Sequence, residues 1–324
     1  MSDRLSENYD VVVIGGGAAG LEGALMLARS RRSVLVIDAG EPRNAPASGV
    51  HGFLTRDGLA PADLTAIGRD EVRRYGGHVV DAAATDVRRT GDGFTVTLTG
   101  DRAVRARRVL VATGLTDELP DVPGLRDRWG RDVLHCPYCH GWEISDAPVG
   151  VLATGPMSVH QALMFRQWSD DVILLRHTGP ELSAEDLERL EARSVRVVDG
   201  RVASLLVADD RLTGVRLADG TVVDRRALVV APRFVANLDG LTSLGLDTEV
   251  EPMSGGRYVP TDAFGATKVP GVWAAGNVTD IKAQVMGSAA GAALAAVAIN
   301  SDLIAEDTDL AVTALRSRNP KGYN

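Results

Sequence analysis

Cysteine is nearly absent, with 2 in 324 residues. That excludes a secreted scaffold stapled by several disulfides. Positive charge is also short. Lys and Arg number 35 against 43 Asp and Glu, a net charge of −8, so no basic face seeks a phosphate backbone and no nucleic-acid partner is expected. Long hydrophobic runs are missing too. The most apolar stretch, Gly287 to Ile299, is mostly Ala and Gly and too short to span a bilayer. It reads as a tightly packed buried helix, and no membrane partner is expected. Met1 to Asp10 is polar and acidic, without the basic-then-apolar pattern of an export signal, so a cytoplasmic chain is expected. The remainder, 45% hydrophobic and 24% charged, is ordinary globular composition, and the length suggests two domains.

What is present is a repeated plan. Val11 to Ile14 is a buried strand ended by Gly15-Gly16-Gly17-Ala18-Ala19-Gly20. Leu21 to Arg29 reads as a helix, and Val34 to Ile37 is a second strand closed by Asp38 and Ala39. That is a parallel βαβ unit. Val149 to Leu152, the loop Ala153 to Ser158, a helix from Val159 to Trp168 and the strand Val172 to Leu175 repeat it. Each copy is followed by alternating strands and closes on an apolar strand, the first ending in Ala112-Thr113-Gly114, the second in Leu228 to Pro232. The expected fold class is α/β with two Rossmann-like domains, each a parallel sheet with a β-meander. The first domain is discontinuous, 1–117 and 248–324, and 118–247 is inserted into it.

The first loop fits a dinucleotide. In Gly15-x-Gly17-x-x-Gly20 the first glycine allows the turn and the second admits a pyrophosphate. The third packs helix on strand, and Asp38 is placed to accept from a ribose hydroxyl. The second loop departs from that pattern. Ala153 replaces the first glycine, Pro156 removes a backbone N–H, and Ser158 is merely small. Its second strand ends in Arg176-His177-Thr178, where Arg176 is the candidate for a 2′-phosphate.

Both cysteines fall in His135-Cys136-Pro137-Tyr138-Cys139-His140-Gly141-Trp142-Glu143. Three apart at a helix start, they are within reach of a disulfide. Haem attachment, zinc binding and two inert thiols are the competing readings. The first wants an exported chain, and the second wants ligands that no other Cys/His cluster supplies. Cysteine spent only here favours redox use.

Together these features resemble the low-molecular-weight thioredoxin reductase family. The Cys-Pro-Tyr-Cys-His-Gly-Trp-Glu string is similar to its flavin-dependent dithiol oxidases of the gliotoxin and holomycin type, enzymes of secondary-metabolite biosynthesis. The resemblance implies FAD, a homodimer, and no metal. It implies FAD contacts along the first loop and from Ala112 to Gly114, with Gly276, Asn277, Gln284 and Val285 at the flavin end. Arg43, Asn44 and His51 would lie along the middle of the cofactor. Three departures stand out: Asn277 and His140 replace aspartates, and the second loop and its phosphate clamp are altered.

The resulting expectation is oxidation of a small-molecule dithiol to an intramolecular disulfide, with O2 as acceptor and H2O2 as product. Cys136 would be attacked, Cys139 would lie nearer the flavin, and His140 would move protons. His135 is either a second such group or a structural donor. An NADPH-dependent disulfide reductase and a flavin-bound redox sensor without turnover are the alternatives.

Overall fold

The computed structural model describes residues 5–318. Met1 to Arg4, the first part of the segment read for an export signal, and 319–324 lie outside the described residues.

The first sheet is built from β1 (Asn8–Ile14), β2 (Val34–Asp38), β3 (His78–Asp81), β4 (Ala84–Thr90), β5 (Gly93–Leu98) and β6 (Arg102–Val111), in the order β3-β2-β1-β6-β5-β4. Helices α1 (Ala18–Arg29) and α2 (Pro61–Arg74) connect its parallel strands. Val11 and Val13 pack towards α1, while Val12 and Ile14 enter a second core on the opposite face. Burial on both faces is why this strand is an unbroken apolar run rather than an alternating one.

β7 (Leu115–Glu118) leads out to the second unit. There follow β8 (Val133–Leu134), α3 (Pro137–His140), β9 (Val149–Leu152), α4 (Ser158–Phe165), β10 (Val172–Leu175), α5 (Ala184–Ala192) and β11 (Arg196–Val198). β12 (Val202–Ala208), β13 (Arg211–Leu217) and β14 (Val222–Asp224) form a three-stranded antiparallel sheet, and β15 (Ala227–Val230) returns to the parallel one. The parallel sheet runs β11-β10-β9-β15-β8, so β9-α4-β10 repeats β1-α1-β2.

The way back differs from the sequence reading. β16 (Arg233–Ala236) lies antiparallel to β7, with Val235 opposite Thr116, and β17 (Glu249–Val250) and β18 (Arg257–Tyr258) extend that small sheet. Ala236, Leu241 and Leu244 are buried in the core of the first unit. The chain therefore re-enters that unit at β16, before residue 248, because the paired β7 and β16 form both crossings side by side.

β19 (Val272–Ala274) adds to β6 in parallel, and α6 (Val285–Arg318) closes the chain. α6 extends well beyond the Gly287 to Ile299 stretch read as a helix. By length and composition alone it passes as a membrane-crossing helix. Here Ala292, Ala295, Ala296, Ile299 and Leu303 pack into the core it shares with α1. Gly23 of α1 lies under that helix with β6 close beneath, where a Cβ would sit 2.5 Å from Leu110 Cδ2. Further along, Arg108 pairs with Asp302 at 2.5 Å and Arg107 with Asp307 at 2.5 Å, pinning the polar side of α6 to the middle of β6.

Candidate active site

The first glycine loop divides its labour as its motif predicts. A Cβ on Gly15, which has φ +107°, would collide with the Ala112 carbonyl, and one on Gly20 would collide with the Gly15 carbonyl. Gly17 meets nothing within 4 Å and opens α1 without a side-chain cap, so the first N–H groups of that helix, from Ala18 and Ala19, face an open cradle. This is the donor set a pyrophosphate needs, and FAD fits it. Gly276, at φ +79°, closes the other side, where a Cβ would press on Ala19 at 2.7 Å.

Asp38 borders the cradle against Gly16, with the exposed Ala39 beyond it. Its Oδ1 accepts from the Gly40 N–H at 3.0 Å, and its Oδ2 accepts from Arg69, which also binds Asp81 at 2.6 Å. Arg69 carried no sequence signal, because the pairing depends on how α2 lies beside β2. Thr113 donates to the Asn237 carbonyl at 2.6 Å, and Gly114 turns at φ +70°, fixing the start of β7.

Cys136 and Cys139 are joined as a disulfide, with their Cα atoms 5.3 Å apart. Cys136 is the N-cap of α3 and Pro137 its first helical residue, a position where a missing N–H costs nothing. Gly141 follows because Trp168 leaves no room for more: a Cβ there would lie 2.9 Å from the indole ring. Two elements from the first unit meet this segment. The Gln284 amide nitrogen, just before α6, stands 3.8 Å from Cys136 Sγ and 3.7 Å from Cys139 Sγ. His51, on the loop between β2 and α2, reaches Glu143 with Nε2 to Oε1 at 3.2 Å and approaches Asp57 at 3.5 Å. Among the described residues, no group of three or more His, Cys, Asp or Glu could hold a metal ion.

The two histidines that flank the cysteines differ. Burial pushes the His140 pKa below the usual histidine value; the Glu143 charge works against that shift and His51 with it. His140 is therefore a neutral imidazole near pH 7, able to accept a proton. His135 is also pushed down, chiefly by burial, while its bond to Val230 opposes the shift. Its Nδ1 lies 3.2 Å from the Val230 carbonyl, its own carbonyl accepts from Gln161 at 3.1 Å, and its ring stands edge-on to Phe234. These contacts fit the structural donor of the two roles read from sequence, and they leave Nε2 without a partner among the described residues.

The second loop is closed on itself. The Thr154 and Gly155 N–H groups stand 3.2 and 3.4 Å from the Ser158 hydroxyl, which donates to the Gly155 carbonyl at 2.8 Å. Arg176 reaches Glu181 at 2.8 Å and Asp199 at 3.3 Å. So the loop donors and the guanidinium that a phosphorylated dinucleotide would need are bound within the chain.

Other expected positions divide. Arg43 places its fork on Asp117, at 2.8 and 2.7 Å, and lies over Phe234 at 5.1 Å, so it braces the link between units. Asn44 sits in the following turn, where its carbonyl accepts from Ala47 at 3.0 Å. Asn277 donates to the carbonyls of Asp280 at 2.9 Å and Ala283 at 2.8 Å, a task an aspartate cannot perform. Val285 begins α6. Glu143, Asp57, Asp117 and Gln161 were not singled out from sequence. Only Glu143, one turn beyond His140, had a local signal.

Residues 9–301 match the pyridine nucleotide-disulphide oxidoreductase family. The thioredoxin reductase aclD of Aspergillus oryzae is 32% identical over 91% of this chain and 96% of its own length. The crystal structure of HlmI is 50% identical, covering 98% of this chain and 99% of its own with a TM-score of 0.90. An oxidoreductase from Agrobacterium tumefaciens is 36% identical over 92% and 99%, with a TM-score of 0.85. The open first cradle, the paired cysteines and these likenesses agree: the chain belongs to the pyridine nucleotide-disulphide oxidoreductase family, among its thioredoxin reductase-like, FAD-binding members.

Proposed function

We propose that this protein is a dithiol oxidase, closing a small-molecule dithiol to an intramolecular disulfide with O2 as the final acceptor and H2O2 as product. The observation that carries this reading is the Ser158 hydroxyl seated on the Thr154 and Gly155 N–H groups. A hydrogen bond to a charged group contributes roughly 1.5–3 kcal/mol, so a phosphate must displace a satisfied partner at each donor and gains little. The first loop has no such plug. Electrons then enter through thiols.

A substrate thiolate attacks Cys136 Sγ; the Cys136–Cys139 bond breaks, and Cys139 leaves with the bonding pair as a thiolate. The second substrate thiolate attacks the substrate's own sulfur in the mixed disulfide, releasing the product disulfide and the Cys136 thiolate. His140, held neutral by burial, takes the proton of the incoming thiol. The chemistry FAD supplies when bound is acceptance of the electron pair from the reduced cysteines and its delivery to O2. Ala18 and Ala19 at the start of α1, with Asp38, would hold it. The working unit in this reading is a cytoplasmic homodimer, and the exposed Leu294, Val297 and Ile304 of α6 are apolar surface available to a second copy.

The names of curated relatives favour one other reading, an NADPH-dependent disulfide reductase running the same pair backwards. Anaerobic mixing separates the two. Dithiothreitol should bleach the bound flavin while NADPH and NADH leave it oxidised, and readmitted air should restore the colour with one H2O2 per turnover. Rapid bleaching by NADPH overturns the oxidase in favour of the reductase.

A further inference from the structure

We infer that Gln284 is a catalytic residue: its side-chain amide donates to the sulfurs of Cys136 and Cys139 and stabilises the thiolates released when their bond opens. Its nitrogen stands nearly equidistant from the two sulfurs, 3.8 Å from Cys136 Sγ and 3.7 Å from Cys139 Sγ. An amide carries two N–H donors, so one group can serve both atoms. Among the described residues no other donor reaches either sulfur.

The backbone that carries the amide is fixed on one side and faces a glycine loop on the other. Asn277 ties the carbonyls of Asp280 and Ala283, and the Ala283 N–H returns to Asp280 at 3.1 Å, so the turn before Gln284 is fixed. On the far side lies Gly52, at φ +72°, where a Cβ would stand 3.7 Å from Gln284 Oε1. The oxygen thus faces the His51–Gly52 loop while the nitrogen faces the disulfide. Gln284 also directly precedes the N-terminus of α6, whose positive end adds to the same effect.

A neutral disulfide sulfur is a poor acceptor and a thiolate a strong one, so the contact strengthens as the bond breaks. In the exchange, the attacking thiolate forms a bond to Cys136, the Cys136–Cys139 bond breaks, and the electron pair stays on Cys139. Gln284 meets that charge where it forms, and meets the second charge when Cys136 is released. The charged and titratable groups around the pair are His135, His140 and Glu143 on the cysteine segment, and His51 and Asp57 on the facing loop. Lys282 on the turn before Gln284 is directed to Glu251 at 3.3 Å. None of these donates to a sulfur in this structure.

The inference does not rest on the oxidase reading, because the same thiolates form whichever way the pair runs. The test is iodoacetamide alkylation of the dithiothreitol-reduced holoenzyme across a pH series, with Cys136 and Cys139 followed separately by mass spectrometry. Gln284→Met should move the half-maximal pH of Cys139 up by about one unit, a roughly tenfold loss of thiolate near neutrality. Gln284→Glu, similar in shape but without the two donors at neutral pH, should move it at least as far. Flavin content and circular dichroism should match the wild type. Unshifted midpoints in both variants overturn the inference. So does faster alkylation at every pH with no shift in midpoint, which would make Gln284 only a shield.

Discussion

His51 Nε2 lies 3.2 Å from Glu143 Oε1, so an imidazole from the loop after β2 meets a carboxylate on the cysteine segment of the second unit. The contact brings two groups near His140 that have opposite effects on it. Burial dominates and lowers the His140 pKa, Glu143 raises it, and His51 lowers it. The neutral imidazole is therefore kept to pH values below the usual 6.5. A base working through it loses activity only as pH falls through that lowered midpoint.

Two substitutions should part the contributions. Glu143→Gln removes the raising charge, so the His140 midpoint should fall further; His51→Gln removes the lowering charge, so it should rise. The two shifts are expected to have opposite signs. NMR titration of the 6 histidines reads the midpoints directly. Shifts of the same sign would contradict the opposite effects of Glu143 and His51 on His140.

The first loop offers a test that separates folding from cofactor binding. Gly20→Ala drives a methyl into the Gly15 carbonyl, an overpacking cost of about 1–3 kcal/mol, and should lower the melting temperature of the flavin-free protein. Gly17→Asn meets open space, and asparagine is a good N-cap, so the flavin-free protein should melt at or above the wild-type temperature. Its side chain occupies the same N–H groups a phosphate would use. FAD should be lost from Gly17→Asn at purification, and retention of full flavin there would argue against the cradle.

Much of this was readable from residue order alone. The loop Gly15 to Gly20, its flanking strands and the second copy announce themselves because strand, turn and helix are local, and their periods survive in sequence. The crossing back did not, because β16 is defined by pairing with β7, more than a hundred residues away. Ser158 was legible as small, but the aim of its hydroxyl depends on how α4 meets the loop. Gln284 was expected at the flavin end of the cofactor by family likeness. That its amide nitrogen also faces both sulfurs was not legible, since the turn held by Asn277 sets its direction.

The unequal roles of the cysteines can be trapped. With Cys139→Ser, the Cys136 thiolate should attack cystamine and keep the mixed disulfide, because no second thiol resolves it. Mass spectrometry should show one cysteamine on Cys136. Cys136→Ser should add cysteamine at least tenfold more slowly if Cys136 is the sulfur presented to substrate. Equal labelling of the two variants would dissolve the assignment.

The last test concerns the closed second loop. Ser158→Gly removes the hydroxyl that the Thr154 and Gly155 N–H groups face, returning two donors to whatever binds there. Each is worth roughly 1.5–3 kcal/mol to a charged acceptor, less the cost of ordering a freed loop, so NADPH affinity should rise about tenfold from a very weak base. Pro156 still lacks its N–H, and Arg176 is still shared by Glu181 and Asp199, so the gain stops short of a working site. Adding Glu181→Gln loosens Arg176 and should help NADPH more than NADH, because only the former has a 2′-phosphate. Calorimetric titration of wild type, Ser158→Gly and the double variant measures each step. Micromolar NADPH binding by the wild type would show that the hydroxyl closes nothing. A Ser158→Gly variant no better than wild type would show that the missing donors are not what keeps the nucleotide out.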